Sequence, residues 1–194
     1  MYQSLDTGAG YKIVIYKDKA MFELQDEQGN LIEYYNSIAD LEQDKKITKD
    51  KVAELRELCE STYSEELKEI NAVIYSIRNK MDFFSKYFKD TTFSMKLGKN
   101  TPKGVYKTIV DKVKQIVASE INEHVPVSVA DGKIEVIFRI SPISTLRTFE
   151  DLYDKIIKHG NFSVVSQALD FIRDIEQLYM ITNDIITYIE TDYQ

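Results

Sequence analysis

Apolar side chains between residues 62 and 90 recur at steps of three and four: Leu67, Ile70, Ile74, Ile77, Met81, Phe84 and Phe88. At the helical period this spacing sets all seven along one side of a helix, and Val73 and Tyr87 widen the stripe. A stripe that broad suits the interior of a bundle or globular domain better than a two-stranded zipper. The same rhythm returns near the end of the chain in Val165, Ala168, Ile172, Ile175, Tyr179, Thr182, Ile186 and Ile189. Val164, Phe171, Leu178 and Ile185 add an apolar position every seven residues on that side. A second long helix is therefore predicted, opened by Asn161 or Ser163 and reaching about Thr191. The two stripes match in length and width, so the economical arrangement packs these helices against one another. Burying such side chains is worth about 1.5–3 kcal/mol each, enough to dominate the stabilising terms.

Elsewhere the period shortens to two. Residues 11–17 alternate and are rich in β-branched side chains, and residues 20–25 and 31–36 flank a turn containing Gly29. Together they predict a three-stranded antiparallel meander over 11–36, with Gly8 and Gly10 making the N-terminus a loose lead-in. No Gly or Pro occurs from residue 31 to residue 96, which favours helices there. Ser37 can cap a short helix carrying Ile38 and Leu41. A second helical pattern starts at Thr48 with Val52, Leu55 and Cys59, out of phase with the Leu67 stripe. Thr62 and Glu65 make a capping-box pair at this mismatch and predict a break near 60–64, the alternative being one long helix with a stutter.

Residues 92–97 alternate and predict a strand, and Gly98 to Gly104 is a loop. Thr101-Pro102 then starts a helix to about Asn122, with Val105, Tyr106, Ile109, Val110, Val113, Ile116 and Val117 on its buried side. Residues 125–130 and 133–140 around Asp131-Gly132 form the clearest hairpin, Pro126 placing its strand at an edge. Ser141-Pro142 ends the hairpin, and Thr148 with Asp151 opens a short helix that Gly160 terminates. The expectation is an α+β, helix-dominated fold. It combines the N-terminal meander, two long amphipathic helices packed together and a second β-hairpin near 125–140. The segments 11–36, 37–90, 91–143 and 144–194 belong to a single domain, 1–194.

Composition adds exclusions. The chain has 194 residues, enough for a sizeable core without a metal or disulfide staple. Its one cysteine, Cys59, excludes an internal disulfide, and with no signal-like start this favours a reducing, cytoplasmic setting. No apolar run is long enough to span a membrane. The excess of Ile over Leu and of Lys over Arg points to an A/T-rich genome, such as a low-GC bacterium or its phage.

The formal net charge is −7, which argues against a general nucleic-acid coat. The charge is uneven. Residues 96–114 hold Lys96, Lys99, Lys103, Lys107, Lys112 and Lys114 against Asp111 alone, whereas 161–194 is strongly acidic. The two stretches can face each other within one chain or between chains. Lys103, Lys107 and Lys114 fall on one edge of their helix, where a solvated flank is the bland reading.

Signals for catalysis are weak. The two histidines, His124 and His159, stand apart without ligand spacing, and His159 suits a helix end. Cys59 sits on an apolar face with no basic neighbour to activate it. The loop Gly98-Lys99-Asn100-Thr101-Pro102-Lys103-Gly104 departs from the phosphate-loop pattern, although Lys99 and Lys103 beside a helix start suit an anion. Glu120 with Asp131-Gly132-Lys133 only loosely imitates a metal-dependent nuclease, and a hairpin turn explains Asp131-Gly132 better.

No catalytic residue, cofactor or metal site is expected. The leading expectation is a non-enzymatic protein–protein interaction module, a regulator, inhibitor or assembly component of bacterial or phage origin. Its partner surface would use exposed tyrosines and Lys96, Lys99, Lys103, Lys107 and Lys114. The alternative is a nucleic-acid-binding accessory protein using the same lysines. A heptad face also leaves room for a homo-oligomer.

Overall fold

The computed structural model describes residues 2–17, 19 and 21–194. Ala20, assigned by the sequence to the second strand, and Met1 of the lead-in lie outside the described residues. The chain divides into two compact units, Met1–Val73 with Phe149–Asp170 and Ile74–Thr148 with Phe171–Gln194. The architecture is α+β with helix in large excess.

The first unit begins with β1 (Tyr2–Asp6), β2 (Lys12–Tyr16), β3 (Phe22–Gln25) and β4 (Leu31–Tyr35), antiparallel in that order. The expected three-stranded meander is therefore four-stranded. The glycine-containing segment, a loose lead-in by its sequence, is instead a turn, with Gly8 and Gly10 at positive φ, that brings Tyr2 opposite Tyr16. The apolar signal in β1 is too sparse to read as a strand, because an edge strand buries little of itself. Ile13, Ile15, Phe22 and Leu24 face the core, with Ile13 opposite Leu24 and Ile15 opposite Phe22.

Ser37 caps α1 (Ile38–Gln43) as expected, its Oγ accepting from the Asp40 amide at 3.1 Å. Then come α2 (Lys49–Thr62) and α3 (Ser64–Tyr87), broken at Tyr63. The break falls where the two apolar phases collide, but the capping box does not form. Thr62 Oγ1 is turned back onto the Leu58 carbonyl at 2.7 Å and reaches Gln3 at 3.2 Å. Hydrogen bonds continue through the break from Tyr63 to Cys59 and from Leu67 to Tyr63, so the junction is a kink, with no open loop. The Tyr63 ring stacks on Phe162 at 6.0 Å.

The second unit contains β5 (Phe88–Lys89), β6 (Thr92–Lys96), α4 (Tyr106–Glu120), β7 (Val127–Ala130) and β8 (Lys133–Ile137), with sheet order β5-β6-β8-β7. A 3-10 turn at Lys103–Val105 leads into α4. Ile109, Val113 and Val117 are the buried line of α4. The hairpin turn forms as read, Asp131 and Gly132 both having positive φ, and Pro126 precedes an edge strand. Phe88, counted as the last member of the helical stripe, has left the helix for β5, where its ring meets Phe84, Phe93 and Phe138.

Two further helices complete the chain, α5 (Pro142–His159) and α6 (Val165–Asp192). The short helix expected from Thr148 is thus a full turn and more longer. Ser141-Pro142 starts it instead of merely closing the hairpin: Ser141 Oγ accepts from the Ser144 amide at 3.3 Å, and proline suits a first helical position. Thr148 is interior and bonds back to the Ser144 carbonyl at 2.9 Å. Asn161 caps the 3-10 turn before α6 by accepting from the Ser163 amide at 3.1 Å.

The unit boundaries fall within α3, α5 and α6. In the second unit the two long helices touch as expected, the Phe83 and Phe84 rings lying 4.8 and 6.4 Å from Tyr179. Their burial is unequal. Ile70, Ile77 and Phe84 are fully buried on α3, but Leu67, Ile74 and Met81 only partly. On α6 in the second unit Ile172, Ile175, Leu178, Ile181, Ile185, Ile186 and Ile189 are all buried. The last helix, more than the middle one, is the interior element.

Candidate functional site

Two surfaces carry polar or apolar groups that the fold leaves unused, one in each unit. The first is β4. It is an edge strand, and its apolar side chains Leu31, Ile32 and Tyr34 are 49%, 46% and 49% exposed. These are three of the nine large apolar residues exposed among the described residues, in one run of four positions. The register explains part of this. Glu33 pairs with Leu24 and Leu31 with Gln25, so Ile32 is the extra residue of a bulge. Tyr34, opposite Glu23, shares a sheet face with Val14 and Ser4, on which Val14 and Glu23 are buried and Tyr34 is not.

That face carries aromatic rings. The Tyr2 and Tyr16 rings are 5.8 Å apart, and Lys19 Nζ sits 4.3 Å over the Tyr16 ring. The same ammonium bonds Glu23 Oε1 at 2.9 Å, which compensates a carboxylate only 7% exposed. Hydrogen bonding to Glu23 holds the Lys19 ammonium above its ordinary pKa against the opposing effect of burial. On the core side the Tyr35 hydroxyl lies 2.8 Å from Asp44 Oδ2 and 3.2 Å from Glu33 Oε2, sharing its one proton between them, and burial, then these two carboxylates, raises its phenol pKa. The first unit has twenty acidic against eleven basic side chains, the second twelve against fourteen. The chain's negative charge is thus a property of the first unit, at −9, while the second is at +2.

The second surface is in the other unit and sorts the lysines of 96–114. Lys96, at the end of β6, pairs directly with Lys133 at the start of β8. Directly opposed residues of an antiparallel pair share a face with Cβ atoms about 5 Å apart, and like charges there destabilise the ladder. Both line a depression of about 350 Å³ with Lys99, Thr101, Tyr106, Asp131 and the Leu97-Gly98 and Gly132 backbone. Lys133 bonds Glu135 at 3.2 Å. Lys96 and Lys99 have no ion pair among the described residues, nor do Lys103, Lys107, Lys112 and Lys114, all exposed. Lys103, on the 3-10 turn, and Lys107 and Lys114, on α4, do not line the depression. The sequence places Lys133 only in a loose nuclease-like pattern; its grouping with Lys96 follows from the pairing of β6 with β8.

An adjoining hollow of about 280 Å³ brings Lys99 beside Asp192, Tyr193 and Gln194. Here the basic stretch and the acidic end of α6 meet within the chain. The Gly98 amide donates to the Tyr193 carbonyl, and the Gln194 amide donates to the Lys96 carbonyl at 3.1 Å. A Cβ at Gly98 would run into that Tyr193 carbonyl, so glycine is required there.

The residues weighed for catalysis are dispersed. Cys59 is fully buried, and burial pushes its thiol up to about 12 despite the nearby Arg56. His124 and His159 are exposed. Asp131 occupies the hairpin turn at φ 53°. Among the described residues no group of three or more His, Cys, Asp or Glu is placed to hold a metal ion, and no helix is long and apolar enough to cross a membrane. No family model matches the chain, and no curated protein or solved structure is significantly similar to it.

Proposed function

We propose that this protein is a non-enzymatic protein–protein interaction module, a regulator, inhibitor or assembly component that takes an extended, basic segment of a partner along β4. The observation that carries this reading is the apolar edge: Leu31, Ile32 and Tyr34 exposed together on a strand with one free side. An edge strand offers unpaired amide and carbonyl groups to an added strand, and alternate side-chain contacts supply selectivity. The bulge at Ile32 confines regular pairing to residues beyond it and lets Ile32 itself act as an apolar contact. The excess negative charge of the first unit favours a basic segment. A second copy is disfavoured, because antiparallel self-pairing centred on Glu33 would oppose two carboxylates.

The test uses fluorescence anisotropy with three labelled ten-residue peptides: alternating Val and Lys, the same composition unalternated, and alternating Val and Glu. The alternating basic peptide is expected to saturate with the highest affinity and to weaken about tenfold with Ile32→Ser/Tyr34→Ser. Equal binding of the unalternated peptide, or undiminished binding by that variant, refutes the reading.

A further inference from the structure

The like-charged pair in the second unit supports a separate conclusion, independent of β4. From the fold we infer that the depression lined by Lys96, Lys99 and Lys133 is a binding site for a dianionic phosphoryl group. Three ammonium-bearing side chains border one concavity of about 350 Å³, against a single lining carboxylate, Asp131. Glu135 bonds Lys133, and Asp192 lines the adjoining hollow with Lys99. Lys96 and Lys99 keep their charge unpaired among the described residues, in a chain with acids to spare. The ladder sets Lys96 opposite Lys133 and gains nothing from the pair, whereas an anion between them turns mutual repulsion into two attractions.

The shape of the lining selects among anions. Thr101 and Tyr106, both hydroxyl-bearing, line the same depression. Hydroxyl and ammonium donors spread around a concavity suit the several oxygens of a tetrahedral phosphate better than the two of a planar carboxylate. The volume admits a phosphoryl group with a few attached atoms, not a nucleic-acid duplex. Lysine serves here as a point charge, which suits a phosphate without demanding the bidentate geometry of arginine.

The site is tested by amide NMR titration of the full chain at low salt. The probes are N-acetyl-phosphoserine amide, inorganic phosphate and, for comparison, N-acetyl-glutamate amide. Saturable shifts are expected at Lys96, Leu97, Lys99, Thr101 and Lys133 with both phosphates. Tighter binding of the phosphoserine probe identifies a protein-borne phosphoryl group, and equal binding a free one. Lys96→Gln and Lys133→Gln should each weaken binding about tenfold, the equivalent of one charge-assisted hydrogen bond. Lys112→Gln, outside the depression, should leave it unchanged.

Affinity for the phosphoserine probe should rise between pH 5 and 7.5, as the ester passes its second ionisation near pH 6. Glutamate amide binding as tightly as phosphoserine amide overturns the inference. So does Lys96→Gln binding like wild type, or shifts spread evenly over the α4 lysines. Thermal unfolding of each variant separates loss of the site from loss of fold.

Discussion

Replacing Gly160 by alanine should destabilise the first unit by about 2–5 kcal/mol. Gly160 ends α5 at φ +62°, and its carbonyl accepts from the Ile38 amide at 3.3 Å, tying the end of α5 to the start of α1. Two costs add. A left-handed conformation costs a residue with a Cβ roughly 1–2 kcal/mol more than glycine. The new Cβ would also lie 2.8 Å from Ile38 Cδ1 and 2.9 Å from its Cβ and Cγ1. Ile38 is 0% exposed, so it has no free space to turn into, and overpacking of that kind costs about 1–3 kcal/mol.

The assay is urea unfolding followed by circular dichroism, for Gly160→Ala, Ile38→Ala and the double variant. In the Ile38→Ala background two of the three clashing atoms are gone. There Gly160→Ala should cost about 1 kcal/mol less than in wild type, the difference measuring the contact. A cost below about 1 kcal/mol in the wild-type background would refute the reasoning, since backbone strain alone should reach that. An equal cost in both backgrounds would refute the steric half.

Three other outcomes follow from the same structure. Phe84→Ala, at the centre of rings contributed by Phe83, Phe88 and Tyr179, should lose about 3–5 kcal/mol in the same unfolding assay. Cys59, with its thiol held at about 12 by burial, should resist iodoacetamide at pH 8 in the native protein and react promptly in urea. Asp26 accepts from the Asn30 side chain at 2.9 Å and from the Asn30 and Gln28 amides, which holds its carboxyl below the ordinary range. The folded turn therefore binds that proton less readily than the unfolded chain. The contribution is present above the ordinary aspartate pKa, about 3.9, and disappears as pH falls through the lowered value. Hydrogen exchange should show the Gln28 and Asn30 amides losing protection on acidification, and Asp26→Ala should show that loss already at neutral pH.

Residues whose conformation is decided locally were legible in the sequence. Ser37 caps its helix, Asp131-Gly132 makes its turn, and the phase mismatch before Leu67 produces the kink at Tyr63. In each case the partners lie within a few positions along the chain, so spacing carries the physics. The misreadings came where distant groups decide. Thr62 leaves its cap because the Leu58 carbonyl and Gln3 are both in reach, and Phe88 leaves its helix because β6 offers it a ladder. The candidate anion site follows the same rule, since the basic stretch was visible but its grouping was not.

The sequence by itself determined the helical and strand periods, the turns, and the place of Cys59 on an apolar helix face. These depend on side-chain spacing and backbone preference, both local. Only the tertiary structure decided that β1 joins the first sheet, that α6 is buried more deeply than α3, and that Lys96 stands opposite Lys133. Strand pairing and burial depend on which surfaces meet across the fold, and a linear pattern records a preference to be covered without naming the cover.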